Sequence, residues 1–283
     1  MKSTKIRKSA WDGTFYPAEP DKLEKKIKGF LQKVKPVNIP SRIIGLIAPH
    51  AGFEYSGLTA AAAYRQIQDK DYNKVILLAP SHTEIFDGIS IYNGEYYETP
   101  FGLIKVDQEL AKAICAKSSS INLSNAGHNT SGNRAEHSLE VHLPFLQKAL
   151  KNEFEIVPMV FHDFSWKNCK TLGDAVADVL EGGDKALIVA SSDLYHGYSY
   201  EDCVSQDDKT IKAIEVFDPE NFCKGVHLSR YQACGAGPIA AMQVAAKNMG
   251  AKQVKVISRT NSADVTGMRS GWTVGYVSAV ITN

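Results

Sequence analysis

The sequence predicts an α/β fold: a single domain over residues 1–283, with a mostly parallel central sheet, helices on both its faces and a β-rich insertion. Three observations predict it. Short apolar, β-branched runs alternate along the chain with segments of helical periodicity. No internal repeat and no linker rich in Pro, Gly or Ser interrupts that alternation. With 44% hydrophobic and 22% charged residues in 283, the chain can bury a real core and has the composition of neither a disordered nor a fibrous protein.

From Asp21 to Lys35, Leu23, Ile27, Phe30, Leu31 and Val34 recur at helical spacing among lysines, which predicts an amphipathic helix with a solvated basic face. RIIGLIAP then reads as a strand, SGLTAAAAYRQI as a helix and KVILLAP as a second strand. GISIYNGEYYETPFGLIKVD, Gly88 to Asp107, breaks the rhythm with two strand-like runs around Asn93-Gly94, a dipeptide that favours a tight hairpin. Beyond it DQELAKAICAK and HSLEVHLPFLQKAL have helical patterns, with a distortion expected at Pro144. FEIVPMVF, TLGDAVADVL, KALIVASS and GPIAAMQVAAKNMG continue the alternation of strand and helix, and KQVKVIS and WTVGYVSAVIT are two closing strands. Strands alternating with helices imply βαβ units, which cover both faces of a sheet.

Composition excludes several functions. The net charge is +1 and the basic residues are dispersed, so no nucleic-acid surface is expected. No run approaches the ~18 apolar residues that span a bilayer, and the charged start MKSTKIRKSAWDG is followed by no apolar segment, so a cytoplasmic protein without a membrane span is expected. Five cysteines without a CxxC pair point to reduced thiols rather than disulfides or a zinc knuckle. Nothing in the sequence sets an oligomeric state.

In open α/β sheets, ligands bind beyond the carboxyl ends of the strands, where loops and helix N-termini converge. Two predicted strands end Ala-Pro and then a histidine, at Pro49-His50 and Pro80-Ser81-His82, so two imidazoles should share one rim. ALIVASSDLYH brings Asp193 and His196 to the same rim, and ACGAGP places Cys234 just before a helix that Pro238 opens. Two imidazoles and a thiolate suffice to hold iron, copper or zinc, and a helix N-terminus would lower the Cys234 pKa. In GHNTSGNRAEHSLEVHLPFLQKAL, Glu136 and Glu140 share a helix face, whereas His137 and His142 lie five apart and cannot ligate one ion from a regular helix. Glu136 and His137 are expected to face the pocket and His142 to be a buried structural histidine. His128, His162 and His227 are expected to be structural or on the surface. No organic cofactor is indicated.

The motifs GTFYPAEPDKL, APHAGFEYSG, APSHTEIFDG, YETPFGLIKVD, AEHSLEVHLPFLQ, SSDLYHGY and ACGAGPIAA, in this order from about Ala10 to the last strand, resemble the Memo family. The resemblance implies a fold similar to the class III extradiol dioxygenases, non-haem Fe(II) enzymes whose iron is held by two histidines and a glutamate. By that resemblance His50 and His82 match the histidine ligands and Cys234 the third-ligand position. His196, with Asp193 beside it, matches the acid/base histidine. Cysteine in place of the carboxylate changes the charge donated to the metal, so ring cleavage is not inherited with the fold. Microbial members of the family often accompany radical-SAM proteins, which suggests such a partner. Animal members are associated with iron or copper, redox signalling and phosphotyrosine peptides.

Three functions follow. The first is metal-dependent redox chemistry on a small molecule, with His50, His82 and Cys234 as ligands to Fe(II) or Cu, and His196 moving protons under the orientation of Asp193. A hydrolase with Cys234 as nucleophile needs no metal. A non-catalytic module would take a peptide in a cleft lined by Phe15, Tyr16, Phe53, Tyr55 and Tyr195.

Overall fold

The computed structural model describes residues 4–131, 135–180 and 185–283. The chain begins with β1 (Ile6–Arg7) and α1 (Pro20–Lys33), which has proline in its first turn and buries Leu23, Ile27 and Leu31. β2 (Ile43–Ala48), α2 (Phe53–Tyr64) and β3 (Lys74–Pro80) follow. The insertion holds β4 (Ile89–Tyr92), β5 (Tyr96–Thr99), β6 (Gly102–Lys105), α3 (Gln108–Cys115) and β7 (Ile121–Ser124). Then come α4 (Leu143–Ala149), β8 (Glu155–Phe161), α5 (Trp166–Val179), β9 (Ala186–Ser191) and β10 (His196–Gly197). The chain closes with α6 (Tyr200–Glu215), α7 (Pro219–His227), α8 (Ala236–Asn248), β11 (Gln253–Asn261), α9 (Ser262–Thr266) and β12 (Thr273–Thr282).

The large sheet runs β10-β12-β2-β9-β3-β8-β4-β7, with β11 also paired to β12. Its middle, β2-β9-β3-β8, is parallel, as continuous apolar runs predict for strands buried on both faces. Antiparallel pairs of β12 with β2 and of β4 with β8 flank that middle, so the sheet as a whole is mixed. Side chains alternate between two cores. Ile76, Leu78, Ile188 and Ala190 face one that includes α3, α5 and α8, while Val75, Leu77, Leu187 and Val189 face another that includes α1, α2 and α4. Among the described residues, no helix is long and apolar enough to cross a membrane.

Three local expectations are corrected. Asn93-Gly94 does not close a hairpin: β4 pairs with β7 and β8, whereas β5 pairs with β1 and β6 in a separate three-stranded sheet. The tight hairpin turn needs positive φ at both central residues, and neither Asn93 nor Gly94 has it. Residues 135–139 are not helical. A 3-10 turn over Glu140–His142 precedes α4, so Glu136 and Glu140 share no helix face, and Pro144 lies in the first turn of α4 rather than inside a helix. Two helices, α6 and α7, lie between the KALIVASS strand and the GPIAAMQVAAKNMG helix, where the sequence pattern placed none. They start at Ser199 and Asp218, whose side chains cap the amides of Asp202 and Asn221.

Candidate metal centre

The parallel register sets the site. Ala48 of β2 lies opposite Ser191 of β9, and Leu78 of β3 lies opposite Ala190, so the carboxyl ends of the three strands reach one rim. His50 follows β2, His82 follows β3, and β9 between them ends at Ser191. His137 joins from the irregular segment before α4. Each of His50, His82 and His137 offers a nitrogen within 4.8 Å of the others, a spacing that could hold a metal ion. The ring centroids of His82 and His137 stack at 4.7 Å, and His50 meets them edge-on at 5.0 and 5.3 Å. His50 is buried, His137 half-buried and His82 exposed, so the group opens to solvent on one side.

Two of the imidazoles, His50 and His82, are held from behind through Nδ1. His50 Nδ1 lies 2.6 Å from Ser191 Oγ, and His82 Nδ1 lies 3.0 Å from Glu136 Oε1. His137 Nδ1 is 3.6 Å from the same carboxylate oxygen. Burial pushes the Glu136 carboxyl up, but the ring and amide of His82 and the neighbouring His137 outweigh it and bring the pKa to about 2. Burial and the other imidazoles hold His50 well below the ordinary histidine value. Burial, followed by His82, brings His137 to about 4. Both rings are neutral at pH 7, as metal ligation requires.

The segment carrying Glu136 and His137 is clamped at both ends. Ser138 Oγ donates to the Pro80 carbonyl at the end of β3 (2.8 Å), and Ser191 Oγ donates to the Ser138 carbonyl (2.7 Å). Arg7 on β1 donates to the Glu136 carbonyl and, at 2.6 Å, to the buried Glu140 carboxylate. Glu140 also accepts from the amides of Ala10 and Trp11 and from the Tyr16 hydroxyl, so it is a structural anchor. Trp11 and Phe15 then pack on the His137 ring, with centroids at 5.7 and 5.0 Å.

Cys234 lies at the Nε2 side of His50, its Sγ 3.2 Å from that nitrogen, and is not one of the three grouped histidines. The amide of Asp193 donates to its sulfur at 3.2 Å, and the Cys234 amide donates to the Asp193 carbonyl at 3.2 Å. Gly235 is required here, because a methyl group at that position would run into the Ser191 carbonyl. The Cys234 pKa is raised, not lowered as its place before α8 suggested. Desolvation and the nearby Asp193 carboxylate outweigh the backbone donors around the sulfur.

Asp193 turns to His50 rather than to His196. Its Oδ1 accepts from the His50 amide (2.9 Å), and its Oδ2 lies 3.9 Å from His50 Nε2. Burial pushes its carboxyl up to about 7. His196 Nδ1 lies 3.0 Å from the Leu194 carbonyl, the ring faces Trp272 at 6.4 Å, and burial lowers its pKa. His142 is buried between the Tyr64 hydroxyl and Ser191, each at 2.8 Å. His128 is buried against Tyr97, whereas His162 and His227 are exposed. Of the aromatics considered for a cleft, Tyr16 and Phe53 are core, Phe15 walls the site, Tyr195 is half-buried and Tyr55 is exposed. Ser191, Arg7 and Trp11 escaped the sequence reading. For Ser191 the available signal was its place as the last residue of a strand flanked by two histidine-bearing ones.

The family model for Memo-like proteins matches residues 7–280. A MEMO1 family protein of Nitrosopumilus maritimus is 37% identical over 275 residues, covering 96% of this chain and 98% of its own. Similar proteins of the same name from Methanothermobacter thermautotrophicus and Aquifex aeolicus are each 36% identical, over 96% and 93% of this chain and 98% and 94% of theirs. With the match running from β1 to β12, the chain belongs to the Memo family.

Proposed function

We propose that this chain is a transition-metal protein whose ion is held by His50, His82 and His137, with the Cys234 thiolate as a further donor on the His50 side. Its chemistry is redox and dioxygenase-like, on a small organic substrate. The observation that carries the reading is the convergence of three imidazoles, two of them, His50 and His82, hydrogen-bonded at Nδ1 to an anchoring oxygen. Such backing is the usual arrangement behind histidine ligands, because it fixes the ring and raises the basicity of the free nitrogen. Imidazoles with one thiolate suit iron, copper or zinc and suit magnesium or calcium poorly. When bound, such an ion supplies a Lewis-acid or one-electron centre.

The protein supplies the remainder. Trp11 and Phe15 shield the His137 side from water. Asp193, with a carboxyl at about 7, can take or give a proton at neutral pH beside His50, and His196 is a second proton acceptor at the rim.

One contact favours a second reading, a cysteine-nucleophile hydrolase: the 3.2 Å separation of Cys234 Sγ from His50 Nε2. The electrostatics oppose it, since a thiol held above and an imidazole held below their ordinary values do not form a thiolate–imidazolium pair.

The test is anaerobic titration of the reduced protein with Fe(II), Cu(I) and Zn(II), read by calorimetry and metal analysis. One ion per chain is expected, lost in His50→Ala and His82→Ala and weakened in His137→Ala and Cys234→Ser. Absence of binding in the wild type, or binding indifferent to all four variants, overturns the proposal. Rapid alkylation of Cys234 in chelator, with hydrolysis surviving there, would favour the nucleophile.

A further inference from the structure

Ser191 Oγ meets three polar atoms in the buried floor of the site: the Ser138 carbonyl oxygen at 2.7 Å, His50 Nδ1 at 2.6 Å and His142 Nε2 at 2.8 Å. A serine hydroxyl has one proton to donate and two lone pairs to accept with. The carbonyl can only accept, so the hydroxyl proton goes to Ser138. An oxygen at 2.7 Å from it with no proton between them would be repulsive. Both imidazole nitrogens facing Ser191 must then carry protons.

His142 donates from Nε2, so its Nδ1 is a lone pair and accepts from the Tyr64 hydroxyl at 2.8 Å. His50 donates from Nδ1, so its Nε2 is a lone pair on the side where Cys234 Sγ lies. The two rings are therefore opposite tautomers, joined through one oxygen. Both are buried, with 1% of their surface exposed, which disfavours the cationic forms that would disturb the count.

We infer that Ser191 is a positioning residue that fixes His50 as the Nδ1–H tautomer and keeps Nε2 free as a donor atom. The Tyr64–His142 pair holds the serine hydroxyl in its rotamer from the far side. The proton count stands by itself, and its consequence for metal binding rests on the function proposed above. The competing state is also identifiable: in the other tautomer Nε2–H would meet Cys234 Sγ, 3.2 Å away, with Asp193 Oδ2 at 3.9 Å, and His50 could not ligate through that nitrogen.

The test uses two-bond 15N–1H spectra of the histidine rings in the reduced, metal-free protein, beside zinc titrations. In the wild type, His50 is expected to be protonated at Nδ1 and His142 at Nε2. Ser191→Ala should move His50 to the Nε2–H form and weaken zinc binding on the order of 10–100-fold, as for other groups that orient a ligand. Ser191→Thr, which keeps the hydroxyl, should restore both. His50 found as Nε2–H in the wild type, or unmoved in Ser191→Ala, overturns the assignment. Should Ser191→Ala not fold, the wild-type tautomers decide alone. Zinc binding with His50 in the Nε2–H form would sink the role of Ser191 and leave the metal reading intact. The stated tautomers without any zinc binding would do the reverse.

Discussion

The Glu136 carboxylate accepts from the His82 amide at 2.6 Å, from His82 Nδ1 at 3.0 Å, and from the amides of His137 and Ser138 at 3.0 and 3.1 Å. One side chain thus orients the His82 ring and fixes the backbone that carries His137. Glu136→Gln keeps the shape but turns an amide donor towards donors already there, so the His82 ring loses its fixed aim. We expect zinc affinity to fall ~10–100-fold in Glu136→Gln with the fold retained, measured by competition with a chelator. At this scale the sequence brought His50 and His82 together past two strand ends, but it paired Asp193 with His196, whereas its carboxylate accepts from the His50 amide. It was silent on Ser191, because a serine at a strand end has many uses and only its two imidazole partners, one of them 141 residues away, define this one.

Among elements, the decisive contact is between β1 and the turn before α4. Arg7 and Glu140 form an ion pair with side chains only 2% and 0% exposed, 133 residues apart in the chain. Removing one member leaves the other charge buried with fewer partners, which costs about 3–5 kcal/mol. Arg7→Ala should lower the urea midpoint accordingly, and an unchanged midpoint would show that the pair does not hold the segment. The same contact explains why the helix expected over Glu136 and Glu140 does not form. Their i, i+4 spacing is helical, but Arg7 claims the carbonyl of the first and the carboxylate of the second, and this long-range pairing overrides the local pattern. α6 was hidden for a different reason: its buried face includes Asp207 and Thr210, so the apolar stripe that reveals α1 is broken.

Across the whole molecule, the alternation of apolar runs and helices was enough to foretell a sheet with two covered faces, and the parallel middle of the sheet follows it. Strand order was not legible, because β9 enters between β2 and β3 from far along the chain. A global pH dependence also follows from the fold. Asp207 on α6 packs under β12, accepting from the Tyr195 amide at 3.1 Å and from Cys203 Sγ at 3.6 Å, and burial pushes its pKa from 3.8 up to about 6. The charged form is therefore disfavoured in the folded state. Its cost is absent below about pH 4, grows as pH rises towards 6 and levels off above, at about 3 kcal/mol. Asp207→Asn should accordingly be more stable than the wild type at pH 7 and no more stable at pH 4, by urea unfolding at each pH. An equal difference at both values would contradict it.

The most direct measurement is X-ray absorption at the zinc edge of the zinc-loaded, reduced protein, wild type beside His137→Ala and Cys234→Ser. The account predicts imidazole scattering from nitrogens at ~2.0–2.1 Å, diminished in His137→Ala, and a sulfur shell at ~2.3 Å that disappears in Cys234→Ser. A spectrum of oxygen ligands alone, or one unchanged by both substitutions, would contradict it.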